Sequence, residues 1–139
     1  MYRIGVIGKG FVGSAVAHGF SQGVGYDAEV KIYDKDPSKS HNSLEEVVNS
    51  SDFIFISVPT PSNVDGSISL NILESCLEDI HKVLETNSEV IFLIRSTVIP
   101  GTTRNLQEKY PSMNLVFNPE FLTERSAHFD FISQTRFII

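Results

Sequence analysis

Apolar and polar positions fall in blocks along the chain, and the period changes from block to block. Tyr2–Ile7 is a short, mostly apolar run that stops at glycine, the pattern of a buried strand. Phe11–Gln22 then places apolar residues at 11, 12, 15, 16 and 20, a helical stripe. Glu29–Tyr33 reads as a second strand, closed by Asp34-Lys35-Asp36-Pro37, and Ser43 with Glu46 three residues on is a capping-box signature for a short helix. Phe53–Val58 is a third strand, ended by Pro59 and Pro61, and Asp65-Gly66 marks a turn. Helical spacing returns over Leu70–Leu84 and Thr102–Tyr110, with strands at Val90–Ile94, Leu115–Phe117 and Arg136–Ile139. Strands and helices alternate, and the strands are apolar on both faces. That order predicts an α/β fold: a doubly wound, mostly parallel six-stranded sheet with helices on both faces and right-handed crossovers.

Composition narrows the partners. The chain has 139 residues, the size of one domain, and its 11 basic and 17 acidic side chains leave a net charge of −6. The acidic excess is spread evenly, so no basic face or arm invites nucleic acid or an anionic membrane. The longest purely apolar run, Val90–Ile94, is far short of the ~20 residues that span a bilayer. Met1–Ile7 lacks the long apolar stretch of a signal peptide, so a cytoplasmic location is expected. One cysteine makes neither an internal disulfide nor a cysteine-based zinc site, and the scattered spacing of His18, His41, His81 and His128 argues against a metal centre.

Between the first strand and first helix stands Gly8-Lys9-Gly10-Phe11-Val12-Gly13. A lone match to this spacing is weak, but strand–turn–helix is the context that dinucleotide binding needs. Gly8 permits the tight turn, Gly10 lets the backbone approach a pyrophosphate, and Gly13 lets the helix pack on the strand. Asp34 follows at the end of the second strand, where a carboxylate accepts hydrogen bonds from adenosine ribose hydroxyls; the bland alternative is a solvated turn aspartate. In the ribose role Asp34 selects NAD. A 2′-phosphate ~4 Å away would be repelled by roughly 4 kcal/mol per charge pair, nearly three decades against NADP.

Three later segments lie where ligands gather in such sheets, beyond the carboxyl ends of strands. They are Val58-Pro59-Thr60-Pro61, then Arg95-Ser96-Thr97-Val98-Ile99-Pro100-Gly101-Thr102-Thr103, then Asn118-Pro119-Glu120-Phe121-Leu122-Thr123-Glu124-Arg125-Ser126-Ala127. Singly, each is also an ordinary strand-to-helix loop. Together and in order, with the glycine turn and Asp34, they resemble the UDP-glucose/GDP-mannose dehydrogenase family, specifically its N-terminal NAD-binding domain, over Arg3–Ile139. The resemblance implies a Rossmann-type fold, NAD as cofactor, and oxidation of a nucleotide-sugar C6 alcohol to a carboxylate through a cysteine-bound thioester.

It also implies roles at matching positions. Gly8, Gly10, Phe11, Val12 and Gly13 would hold the pyrophosphate, Asp34 and Lys39 the adenosine ribose, and Val58, Pro59 and Thr60 the nicotinamide half. Thr97 would position the catalytic water near the cofactor, and Glu120 would act as general base in thioester hydrolysis. Phe121 and Leu122 would line the sugar pocket, and Glu124 would lie close to NAD. Two departures stand out. Arg125 occupies a position that is commonly glycine in the family, and a crowded or tilted loop is the expected cost. The chain is also expected to be a single domain over 1–139, without the family's central helix and C-terminal domain. That part supplies the nucleophilic cysteine, a lysine and an asparagine. Cys76, on the apolar stripe of the Leu70–Leu84 helix, is expected to be a buried core thiol. Arg95 is open between pairing with a phosphate and with a neighbouring carboxylate. Two readings remain. One is the cofactor half of a UDP-glucose 6-dehydrogenase-like enzyme, as a truncated product or a domain cut from a longer chain, which a separate chain supplying the rest would complete. The other is a stand-alone module that binds NAD or a UDP-sugar without turnover. A β-hydroxyacid-type dehydrogenase fragment is disfavoured by the later motifs.

Overall fold

The computed structural model describes residues 1–134 and 136–139. Five strands, β1 (Tyr2–Ile7), β2 (Ala28–Tyr33), β3 (Phe53–Ile56), β4 (Ile91–Ile94) and β5 (Asn114–Phe117), form one sheet in the order β2-β1-β3-β4-β5, and every pairing is parallel. The sheet separates two apolar clusters by the two-residue period of its strands. Ile7, Ile54, Ile56, Phe92 and Ile94 face α2 (Leu44–Ser50), α3 (Asn71–Val83) and α4 (Thr102–Lys109). Ile4, Val6, Phe55 and Leu93 face α1 (Phe11–Gly19) and α5 (Ala127–Ser133). Burial on both faces is why these strands read as continuous apolar runs. No helix is long and apolar enough to cross a membrane among the described residues.

The pattern missed one helix and over-called one strand. In α5 only Ala127 and Phe131 are buried, too few positions in seven residues to show a period. The helix forms because Phe131 enters a gap in α1, where a Cβ on Gly19 would lie 2.1 Å from the ring. Arg136–Ile139 does not join the sheet, which correspondingly has five strands rather than six among the described residues; Thr135 lies outside them. Phe137, Ile138 and Ile139 stay 52%, 44% and 79% exposed, without the burial that offsets strand ordering. A side-chain amide holds this segment instead, Asn118 Nδ2 donating to the Ile138 carbonyl at 2.6 Å.

Candidate functional site

The chain runs from β1 to one side of the sheet and then crosses back to β3, so the order reverses between β1 and β3. Ligands of open parallel sheets bind beyond the carboxyl ends of strands at such a point. Here the first residues off the strands are Gly8 and Ser57, and the glycine turn lies against them. Its glycines have different causes. Gly8 has φ +91°, and a Cβ there would lie 2.7 Å from the Ser57 carbonyl oxygen; a Cβ on Gly13 would lie 1.8 Å from the Gly8 oxygen. Both are required by the fold. A Cβ on Gly10 would meet nothing within 4 Å. The protein leaves that space open in front of α1, whose N-cap has no side-chain partner and whose first turn has no acidic residue. Unpaired N–H groups and partial positive charge there suit a phosphate.

A cavity opens on each side of the turn. On the β2 side it is lined by Gly8, Tyr33, Asp34, Lys35, Val58, Pro59, Ile72 and Cys76, among others. Asp34 is fixed there: Oδ2 accepts from the Lys9 N–H at 2.6 Å and Oδ1 from the Asp36 N–H at 2.8 Å. Its own N–H donates to Ser40 Oγ at 3.1 Å. Lys39 is exposed on the same loop, and Lys35 is the lysine that lines this cavity. Cys76 is only partly buried, packing against the core while bordering the cavity, and burial pushes its thiol up to about 12. The α3 contributions were illegible in the sequence, because a helical period marks a core face and not the rim above it.

On the β4 side the cavity is lined by Gly10, Phe11, Val12, Ser57, Val58, Pro59, Thr60, Arg95, Ser96, Thr97 and Glu120. Sequence reasoning assigned roles to eight of these, Gly10, Phe11, Val12, Val58, Pro59, Thr60, Thr97 and Glu120, held Arg95 and Ser96 in a motif without a fixed role, and did not point to Ser57. The wall is stapled: Thr60 Oγ1 donates to the Thr97 carbonyl at 2.8 Å and Ser96 Oγ to the Val58 carbonyl at 2.6 Å. Glu120 Oε2 accepts from the Leu122 N–H at 2.6 Å. Arg95 does not hydrogen-bond a carboxylate among the described residues: its NH1 donates to Asn118 Oδ1, and Nε and NH2 have no acceptor there. The Ser57 hydroxyl is also buried, without a partner among the described residues.

The remaining predicted residues lie apart. Phe121, 75% exposed, and Leu122 border a hollow against α5 and the Arg136–Ile138 segment. Glu124 shares a third cleft with Phe11, Arg125 and His128. Asp130 secures that loop by accepting from the Thr123 N–H and Ser126 Oγ, which hold its carboxyl below the usual range. Arg125 sits exposed in a single 3₁₀ turn, and Asn87 is the one non-glycine residue with positive φ among those described. Arg125 thus does not adopt the left-handed backbone that favours glycine. Among the described residues no group of three or more His, Cys, Asp or Glu is placed to hold a metal ion.

Comparison with known proteins agrees with this geometry. The "UDP-glucose/GDP-mannose dehydrogenase family, NAD binding domain" matches residues 39–139. UDP-glucose 6-dehydrogenase of Campylobacter jejuni is 34% identical over 116 residues, 78% of this chain and 28% of that protein. The structure of a UDP-glucose dehydrogenase from Pyrobaculum islandicum superposes with a TM-score of 0.79 at 28% identity, covering 99% of this chain and 40% of that one. GDP-mannose dehydrogenase of Pseudomonas aeruginosa gives 0.77 at 25% identity, covering 93% and 38%. The chain thus spans well under half the length of these relatives. The Pyrobaculum superposition, over 99% of the chain, extends across the stretch with the glycine turn and Asp34, which precedes the matched family region. The family match over 39–139, in agreement with these superpositions and the parallel sheet, shows that the chain belongs to the UDP-glucose/GDP-mannose dehydrogenase family, as its Rossmann-type, NAD-binding domain.

Proposed function

We propose that this domain serves a nucleotide-sugar dehydrogenase of the UDP-glucose 6-dehydrogenase type, holding NAD for oxidation of the sugar C6 alcohol to a carboxylate. The observation that carries the reading is the open space before Gly10 with a cavity on either side. A dinucleotide laid across it has its pyrophosphate at the N-terminus of α1 and its adenosine ribose at Asp34, with Gly8, Phe11, Val12 and Gly13 shaping the turn and Lys39 above the loop. The nicotinamide half then lies by Val58, Pro59, Thr60 and Thr97, and NAD supplies hydride acceptance there. Thr97 positions water, and Glu120, beside it, takes the proton from that water as general base. Glu124 lies near the cofactor across Phe11, and Phe121 and Leu122 meet the sugar. Titration calorimetry with NAD and then UDP-glucose tests this; a chain that binds neither would overturn it.

One observation favours a second reading for these 139 residues acting alone, a binding module without turnover. Their single thiol, Cys76, lies on the Asp34 side of the turn, across from Glu120, and is held protonated by burial. It has neither the place nor the ionisation of a nucleophile for an aldehyde at Thr97. Mixing the chain with NAD and UDP-glucose and following reduced nicotinamide separates the readings: the module gives none, and steady turnover that survives Cys76→Ser excludes it.

A further inference from the structure

Arg95 is the first residue beyond β4 and is 2% exposed. Its guanidinium carbon lies 5.9 Å from the centroid of the Phe55 ring and 5.7 Å from that of Phe131. One nitrogen donates to Asn118, and the other two are buried without acceptors among the described residues. Burial works against its charge, while Glu120 is the nearby carboxylate that favours it. Arginine nevertheless remains charged inside proteins. No salt bridge joins it to Glu120 among the described residues, so a full positive charge stands poorly neutralised in the wall of the β4-side cavity. For the fold alone the arrangement is costly: desolvating the charge is offset only in part by the two rings and the one Asn118 bond, and an apolar side chain would fill the same space.

A ligand gives the charge a use. Oxidised nicotinamide carries a positive charge on its ring, and reduced nicotinamide is neutral. We infer that Arg95 biases this site toward the reduced cofactor, with Glu120 as the opposing lever. The inference rests on the NAD reading above. Arg95 acts through its field and not by contact, since its free nitrogens do not reach the cavity surface. The Arg95 charge, 2% exposed and flanked by two rings, is screened less than the carboxylate of Glu120, which is only partly buried. The guanidinium consequently outweighs Glu120, and the oxidised ring is disfavoured. Arg95 is on this account a positioning residue for charge. In the reaction it would prefer the product form of the cofactor.

The test is the ratio of dissociation constants for NAD and NADH, measured on the 139-residue chain by NADH fluorescence and competition. Wild type should bind NADH more tightly. Arg95→Met, which keeps volume between the rings, should shift the ratio toward NAD by about tenfold. Arg95→Lys keeps the charge and should restore most of the preference. Glu120→Gln should move the ratio the other way, and Arg95→Gln replaces Arg95→Met in the test if the methionine variant does not fold. A merely structural Arg95 would weaken both nucleotides equally. An unchanged ratio in Arg95→Met, or a Glu120→Gln shift in the same direction as Arg95→Met, overturns the inference while leaving NAD binding intact. Wild-type chain that binds neither nucleotide overturns the NAD reading and this inference together.

Discussion

On the β2 side of the glycine turn both oxygens of Asp34 already have N–H donors, while on the β4 side the Arg95 guanidinium has one acceptor and the Ser57 hydroxyl has none among the described residues. The first side is a finished polar cradle whose carboxylate is held before any ligand arrives. The second is stapled in its backbone through Thr60 and Ser96 but keeps unmatched polar groups beside Thr97 and Glu120. Buried groups without partners are rare in folded chains and gather where function needs them. On the proposed reading the difference divides the work: the prebuilt side at Asp34 would contribute affinity and select the cofactor, and the charged side at Arg95 would tune its state.

The strongest way to break the comparison is to remove what both sides share. Gly10→Val should abolish measurable NAD binding, because its side chain enters space that no protein atom occupies. The melting temperature should stay near wild type for the same reason. Gly13→Val meets the Gly8 carbonyl and should instead lose folded protein, seen as a collapsed thermal transition. Equal melting behaviour of the two variants would mean that the turn's glycines have one cause and not two.

Asp34→Ala breaks the adenosine side alone. Discrimination against NADP, nearly three decades from repulsion of a 2′-phosphate, should largely disappear in calorimetry with both cofactors. Loss of the acceptor for the Lys9 N–H will also loosen the turn, so NAD affinity falls as well. A variant that keeps its preference for NAD would remove Asp34 from the selecting role.

The sequence made the inner sheet legible because its strands are buried on both faces, and the glycine turn legible because its context is short-range. It was silent where long-range packing decides. Phe131 forms α5 by entering a gap that Gly19 leaves in α1, a contact over a hundred positions apart in the chain. Phe137, Ile138 and Ile139 look like a strand by composition yet find no helix to cover them. The same rule divides the site. Motif residues Thr97 and Glu120 fall together because strand ends converge, but Arg95 reveals its unmatched charge only once Phe55, Phe131 and Asn118 surround it. Cys76 reaches the Asp34 cavity because the first turns of α3 pass over Val58 and Pro59.

Cys76 offers a milder probe of the adenosine side. Its thiol, pushed up to about 12 by burial, should react with iodoacetamide at pH 8 at least about tenfold more slowly than in denaturant. NAD should slow it further, and a UDP-sugar alone should not. Because the folded value lies above the unfolded one, the buried thiol's contribution to stability is complete below the unfolded value. It is lost as pH rises from there toward 12, so Cys76→Ala should flatten the alkaline decline in melting temperature. Rapid labelling at pH 8 that NAD leaves unchanged would put the thiol outside the cavity.

The smallest effect belongs at the opposite end of the sheet. Arg3 and Asp52 form a two-pronged contact where β1 begins and β3 is about to start: Arg3 Nε and NH2 both donate to Asp52 Oδ1, and the Arg3 backbone N–H donates to Oδ2 at 2.9 Å. The side-chain bonds from Arg3, more than its charge alone, hold the Asp52 carboxyl below its usual value. A folded value below the unfolded one means that the pair stabilises the fold at neutral pH, and that this is lost as pH falls through the folded value. Both groups remain partly exposed, so solvent screening keeps the gain small. Asp52→Asn should accordingly lower the melting temperature slightly at pH 7 and not at all once wild-type Asp52 is itself protonated. NAD affinity should not change, because the contact is separated from the glycine turn by the length of β1. A change in NAD affinity comparable to that of Asp34→Ala would mean that the two ends of the sheet are coupled, and that binding is not confined to the cavities around the turn.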